Sequence, residues 1–501
     1  MLHWPSTIAD NSPAMTPATC SLDDSLARIV RALRDGTVTA AALIEAGNAR
    51  YGEYDQGFGA YIERNDGLAL GQARAADAAF ATGADLGPLQ GIPISIKDLF
   101  GVTGFTTRAG SPRPLPAPWA VDGPVVAALR NRLGVFTGKT HSVEFAFGGL
   151  GTNPHWPVPV NPWDAGVHRV PGGSTAGGGV SLHVDALVAL GTDTAGSARI
   201  PASMTGTVGF KTTRGRWPTG GIVPLSSSID SVGILTRTVA DARLAFQALD
   251  QALDQALGLE PAPASSASMP LAGCRLGLCE HLFWDDCSPG IADTVRLALQ
   301  ELEAAGAALT TVDVAELDEA LELFLLGHLA APELHEFLSS ELPAWLDTMD
   351  PRVVARLGDA GRLPAREYLR RRRRLQALAA TADLHFRSMD VLVTPTLAAT
   401  PPAVASVADG DAYREINLRT LRNPAMANML DLCAMTLPVG LDAEGMPVGL
   451  QLIARGGADP RLLEVGAACE AVLGTARERL GIAPRLQHLA SPGNGGRGMP
   501  D

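Results

Sequence analysis

Cysteine is scarce in this 501-residue chain: Cys20, Cys274, Cys279, Cys287, Cys433 and Cys469 are the only six, and no two form a CxxC pair. That spacing excludes a zinc ribbon and suggests no disulfide framework. The ten histidines contain no HExxH pair, so a helix-borne zinc site is excluded as well and no metal or cofactor is expected. Aromatic residues are few, at 5%. No uninterrupted apolar run approaches the ~18 residues that a membrane span needs. The start, MLHWPSTIADNSP, has neither the basic residues nor the apolar stretch of a secretory signal. Positive charge is short too: 40 Lys and Arg against 53 Asp and Glu leave a net charge of −13. Phosphate binding rests on clustered cations, so nucleic acid is not an expected partner. The one basic run, Arg370 to Arg374, spreads its arginines around most of a helix and reads as a solvated face with carboxylate partners. Together these absences describe a cytoplasmic enzyme in a reducing compartment, with no membrane partner.

What is present is a globular composition, 46% hydrophobic and 19% charged, with 54 glycines and 36 prolines for tight loops. Residues 1–20 are expected to be disordered, residues 21–490 to form one domain, and residues 491–501 to be a disordered tail. Within the domain, residues 21–85 read as a helical arm. SLDDSLARIVRALRDG is a capped amphipathic helix, TAAALIEAGNARYGEY a second, and residues 68–81 a third. Strands are expected at 91–100, 134–138, 186–190, 208–211, 274–278, 308–314, 391–394 and 448–453. Helical stretches separate them, which implies crossover connections. The fold class is therefore α/β, with a mixed, mostly parallel central sheet covered by helices on both faces. Residues 258–272 are a Pro/Ala/Ser-rich connector, and residues 320–386 a helical, cap-like insertion.

Three segments carry chemistry. Lys97 ends the apolar run Ile92-Pro93-Ile94-Ser95-Ile96. A lysine there is either ion-paired, with Asp98 or another carboxylate, or desolvated and able to act as a neutral base. Pro171-Gly172-Gly173-Ser174-Thr175-Ala176-Gly177-Gly178-Gly179 lets backbone approach a ligand or a neighbouring chain closely. Phosphate binding is the rival reading, but the nearby Gly138-Lys139-Thr140 has Leu133 where a phosphate loop needs glycine. The third segment is Gly191-Thr192-Asp193-Thr194-Ala195-Gly196-Ser197-Ala198-Arg199. Its small residues can aim successive amides at one point, as an oxyanion hole requires, with a serine placed as a nucleophile would be.

In this order the three segments resemble the amidase signature family. So do GKTHSVEFAFGGLGTNPHWPVPVNPWD (138–164), VGFKTTRGRWPTGGIVPLSSSIDSVGILTRTVADA (208–242), DVLVTPT (390–396) and GMPVGLQLIARGGADPRLL (445–463). The resemblance spans residues 21–490 and implies that family's fold and an amide-cleaving hydrolase. It places the general base on Lys97, the bridging serine after a cis peptide on Ser174, and the nucleophile on Ser197. The oxyanion-hole amides fall on Thr194, Ala195, Gly196 and Ser197. Ser174 and Ser197 stand 23 positions apart, one fewer than usual in the family. Gly173 and Arg199 are substrate-binding candidates, although Arg199 is weighed against a loop-bracing pair with Asp193. His141 and His155 lie near the site and are candidate pocket residues, while Trp345 and Tyr368 are expected to shape the acyl pocket. The implied substrate is a small-molecule amide and the implied assembly a homodimer. Two alternatives remain. One is the glutamine-hydrolysing A subunit of a tRNA-dependent amidotransferase, which uses the same three residues. The other is a scaffold kept only for binding, which the loss of one of the three would favour.

Overall fold

The computed structural model describes residues 20–164, 166–259 and 269–487. The expected disorder of residues 1–20 and 491–501, and most of the 258–272 connector, lies outside the described residues. One sheet organises the rest. Its strands in chain order are β1 Tyr61–Arg64, β2 Pro93–Lys97, β3 Val135–Thr140, β4 Val188–Asp193, β5 Val208–Lys211, β6 Ser231–Thr236, β7 Arg275–Leu278, β8 Ala308–Thr311, β9 Val391–Pro395, β10 Cys433–Leu441 and β11 Pro447–Ala454. In space they run β1-β3-β2-β4-β6-β5-β10-β11-β9-β7-β8. The sheet is mixed, with its parallel pairs in two blocks, β3-β2-β4 and β9-β7-β8. Antiparallel pairs join the blocks through β6, β5, β10 and β11. Strands β1, β6 and β10 lie outside the strands expected from sequence, and β1 interrupts the 21–85 arm as an antiparallel edge on β3.

Helices cover both faces, and the pleat sorts the side chains beneath them. On β4, Val188 and Leu190 join the larger core with Ala242, Phe246 and Leu249 of the helix Val239–Ala256. Ala189 points the opposite way, into a small cluster with Ala198, Ala202 and Leu235. That second face is paved with small residues because two short helices lie close against it, Ala176–Ser181 and Arg199–Thr205. A Cβ on Gly191 would stand 2.7 Å from Thr175 Cγ2, one on Gly233 2.7 Å from Ala198 Cβ, and one on Gly209 2.6 Å from the Ala198 carbonyl oxygen. The glycines thus let the segments bearing Ser174 and Ser197 sit directly on the strands.

Residues 317–387 are helical, including Leu317–Leu325, Ala330–Glu341, Pro351–Leu357 and Ala365–Ala382. The arginine run lies in the last of these and pairs with carboxylates as its pattern implied: Arg370 and Arg371 with Glu367, Arg374 with Glu319. Among the described residues no helix is long and apolar enough to cross a membrane.

Gly209→Ala tests the close packing beneath the site. The added methyl meets the Ala198 carbonyl and Ala202 Cβ, 2.6 and 2.7 Å away, and should cost about 1–3 kcal/mol. Thermal denaturation should show a lower Tm; an unchanged Tm would contradict this account of the face.

Candidate active site

Lys97 and Asp193 end the parallel neighbours β2 and β4, so both sit at the carboxyl edge of the same block. In α/β sheets this edge is where ligands bind. Ser174 reaches the edge from the glycine loop and Ser197 from the turn after β4. The Gly173–Ser174 peptide is cis. The Thr175 N–H donates to the Ser197 carbonyl at 3.2 Å, which ties the two serine-bearing segments together. The 23-residue interval between them is filled by one short helix and one strand.

Lys97 is fully buried. Its Nζ lies 2.8 Å from Ser174 Oγ and 2.7 Å from Thr192 Oγ1. It has no carboxylate partner among the described residues, because Asp98 is committed elsewhere: Lys139 Nζ stands 3.2 Å from its Oδ1, and the Gly110 and Arg108 amides donate to it. Burial pushes the Lys97 ammonium down to about 7, with the negative charges of Asp230 and Asp193 limiting the fall. Lys97 is therefore joined to Ser174, while no hydrogen bond links Ser174 to the Ser197 hydroxyl among the described residues.

The loop after β4 is braced from below by one ion pair. Arg199 is fully buried and forks onto Asp193, Nε to Oδ2 at 3.0 Å and Nη2 to Oδ1 at 2.9 Å. Its remaining donors go to Gln451 Oε1 and Asn428 Oδ1. Burial alone would raise the Asp193 carboxyl, but Arg199 beside it holds it at about 2. This corrects the substrate-binding expectation for Arg199: its guanidinium is used up inside the protein.

Asp193 also corrects the expected oxyanion hole. Its Oδ1 accepts the Gly196 N–H at 2.8 Å and its Oδ2 the Ala198 N–H at 3.2 Å. The Gly196 amide is thus occupied, whereas the N–H groups of Thr194, Ala195 and Ser197 have no acceptor among the described residues. Gly196 itself has φ +115°, and a Cβ there would stand 2.6 Å from Pro424. Only glycine makes that turn without strain. Gly173, the other substrate-binding candidate, donates its N–H to the Gly149 carbonyl at 2.7 Å and abuts Gly151. Its role in the structure is close packing.

Two residues that the sequence reading missed complete the site. Thr192, the second partner of Lys97, lies in the small-residue segment 191–199, where the sequence gives it no role. Asp230 accepts the Thr194 hydroxyl at 2.6 Å and the Leu225 and Ser226 amides at 3.0 Å. Burial raises it to about 6. The only signal for Asp230 was its place in the SSSID stretch, 33 positions beyond Ser197. From there the contacts run outward to the helical region. The Ser226 hydroxyl donates to Glu333 at 3.0 Å, and so does the Tyr368 hydroxyl at 2.9 Å. Tyr368 therefore braces the loop next to the site, and Trp345 lies under the Arg113 guanidinium. His141 is buried with neither ring nitrogen hydrogen-bonded among the described residues, and burial pushes it to about 3. His155 sits 3.5 Å from Glu144.

The sequence model of the amidase family matches residues 42–463. The chain belongs to the amidase family. It is 47% identical to a 2-amino-5-chloromuconic acid deaminase of Comamonas testosteroni over 92% of this chain and 98% of that protein. It is 32% identical to the A subunit of the glutamyl-tRNA(Gln) amidotransferase of Streptomyces coelicolor, over 89% of this chain and 95% of that protein. A crystal structure of an amidase superposes with a TM-score of 0.78 at 29% identity, covering 90% of this chain and all of that one. This chain is accordingly a hydrolase of carbon–nitrogen bonds in small molecules.

The Lys97 environment has a sign that pH can read. A base must be unprotonated, and with its ammonium near 7 about half of Lys97 is neutral at pH 7; at the ordinary 10.5 about 0.03% would be. We expect kcat/KM to fall about tenfold per pH unit below about pH 6 and to level off above about pH 8. A profile that stays flat to about pH 5 would contradict this.

Proposed function

We propose that the chain cleaves its substrate's C–N bond through a covalent Ser197 intermediate, with Ser174 and Lys97 as the proton relay. The observation that carries the reading is a fully buried lysine, without a carboxylate partner among the described residues, 2.8 Å from the hydroxyl of Ser174. Serine is a weak nucleophile until a base takes its proton. Neutral Lys97 accepts a proton from Ser174, which accepts one from Ser197 as Oγ attacks the carbonyl carbon. The tetrahedral oxyanion is held by the amides of Thr194, Ala195 and Ser197, each worth a few kcal/mol in such a role. Ser174 then protonates the departing nitrogen and is reprotonated by Lys97. Water hydrolyses the acyl-Ser197 ester along the same path and restores the neutral lysine. The bridging hydroxyl supplies the reach that the second ring nitrogen of histidine gives in the better-known triads.

The 47% identity to the Comamonas deaminase supports a small nitrogen-bearing acid as substrate and ammonia as the leaving group. The glutamine-hydrolysing role in a tRNA-dependent amidotransferase, at 32% identity, is the lesser-supported reading; glutaminase activity stimulated by a co-purifying partner would favour it. A homodimer acting in the cytoplasm is the setting we expect.

A fluorophosphonate probe followed by peptide mapping tests the nucleophile. Wild type should be labelled on Ser197, and Ser197→Ala should lose both label and turnover. Lys97→Ala should lower kcat at least about 10³-fold while leaving the fold intact. Label on another residue, or substantial turnover by Ser197→Ala, would overturn the reading.

A further inference from the structure

A pocket of about 260 Å³ opens from solvent onto the catalytic edge of the sheet. Thr219, Gly220 and Ser227 are exposed at its mouth, and Thr192 and Ser231 are buried at its base. Three of its lining residues touch the site directly. Thr192 Oγ1 shares Lys97 Nζ with Ser174 Oγ, so the two hydroxyls stand within two hydrogen-bond lengths of each other. Asp230 accepts the Thr194 hydroxyl, and the Ser231 hydroxyl donates to the Asp193 carbonyl at 2.8 Å. The facing wall is tied to the residues that follow Lys97. The Gly101 N–H donates to the Gly221 carbonyl at 2.8 Å, Ile222 bridges to Phe100, and the Val223 N–H donates to the Leu99 carbonyl at 2.9 Å. The pocket is therefore bounded by the two segments that carry Lys97 and the free amides.

Its chemistry is one-sided. Among the described residues no lysine, arginine or histidine lines it, and Asp230, half-buried, is its one charged side chain. Glu333 adds a second carboxylate behind that wall, where it accepts the Ser226 hydroxyl and the Ser228 N–H at 3.0 Å. Trp119 is the one aromatic residue of the lining, half-buried and held edge-to-face by Phe337 at 5.5 Å between ring centroids. An acid group in this pocket would meet a carboxylate with no cation to offset it. A carboxylate and an indole together are instead the groups that recognise an organic ammonium. Volume decides a second point. A water molecule takes about 30 Å³ of the liquid, so ammonia would fill only a small part of the space.

We propose that this pocket receives the departing nitrogen and takes a small organic amine as well as ammonia, with Asp230 as the residue that selects for it and Trp119 as its apolar wall. This rests on the reading of Ser197 as the nucleophile and adds leaving-group specificity to it. The direction follows from the relay. A nitrogen placed to take the Ser174 proton lies at the inner end of the pocket, because Thr192 stands beside Ser174 across Lys97. The C–N bond breaks as Ser174 gives its proton to the nitrogen, which leaves as a neutral amine while the acyl group stays on Ser197. A second proton, from solvent, turns the amine into an ammonium, and the Asp230 carboxylate pairs with it. The substrate class is then an N-alkyl or N-benzyl amide besides the primary carboxamide, and any acid group of the substrate belongs on the acyl side.

The test is calorimetry on the wild-type protein at about pH 8, where Asp230 is ionised and an alkylamine protonated. It compares benzylamine with benzyl alcohol and benzoate, its uncharged and anionic counterparts. We expect benzylamine to bind at least about tenfold more tightly than either. Asp230→Asn should abolish that preference and Asp230→Glu should retain part of it. Trp119→Leu, at a half-buried position, should weaken benzylamine several-fold. Saturating benzylamine should also move the Lys97 Nζ signal of the labelled wild-type protein, because the ammonium then lies beside the relay. Equal affinity for the three ligands, a preference that survives Asp230→Asn, or a Lys97 signal that does not respond to bound benzylamine would overturn the proposal. Labelling of Ser197 is read without amine present, so a failure of the nucleophile reading is seen separately from a failure here.

Discussion

The site depends on one lysine kept out of water without an anion to pay for it. Moving the Lys97 ammonium from its ordinary 10.5 to about 7 corresponds to a differential cost on the order of 5 kcal/mol for the charged form. The cost persists because each nearby carboxylate is assigned elsewhere. Asp98 belongs to Lys139 on the neighbouring strand and Asp193 to Arg199 beneath the loop. Asp230 is held by Thr194 and two backbone amides. Lys97 is left with two hydroxyls, which tolerate a neutral amine and transmit a proton. Had Asp98 turned toward Lys97, the lysine would be held charged and could not act as a base near neutral pH.

That arrangement is achieved by packing as much as by charge. Glycines on the strands bring the Ser174 and Ser197 segments onto the sheet, and the Arg199–Asp193 pair fixes the turn from which three free amides project. A buried pair of this kind adds little net stability against an apolar replacement. Here its evident use is geometric: the same carboxylate that receives Arg199 also takes the Gly196 and Ala198 amides, and leaves those of Thr194, Ala195 and Ser197 without an acceptor among the described residues. The Asp230–Thr194 and Glu333–Tyr368 contacts extend the bracing to the helices that bound the substrate side. Loop, sheet and helical region therefore share one hydrogen-bonded framework.

Much of this was legible in the sequence, for reasons that differ by residue. Lys97 stood out because a cation at the end of a continuous apolar run needs an explanation, and the flanking glycines marked the loops at Ser174 and Ser197. Strands such as Val208–Lys211 were readable as short apolar runs between turn residues. Strand β10 was obscured by Pro438 and Gly440, β6 by a segment without clear alternation, and β1 by its four-residue length between helices. Occupancy was the harder matter. A run of small residues shows that amides can converge but not that the carboxylate of Asp193 captures one of them. Nor could the sequence decide between the two roles of Arg199, since Gln451 and Asn428 are more than 200 positions away and meet it only in the fold.

The most direct test of the account is the titration of Lys97 itself, followed through the Nζ and Cε chemical shifts of the labelled protein and assigned by comparison with Lys97→Met. A midpoint near pH 7 is predicted, with the neutral amine dominant above it. A lysine that stays protonated beyond about pH 9 would contradict the account at its base.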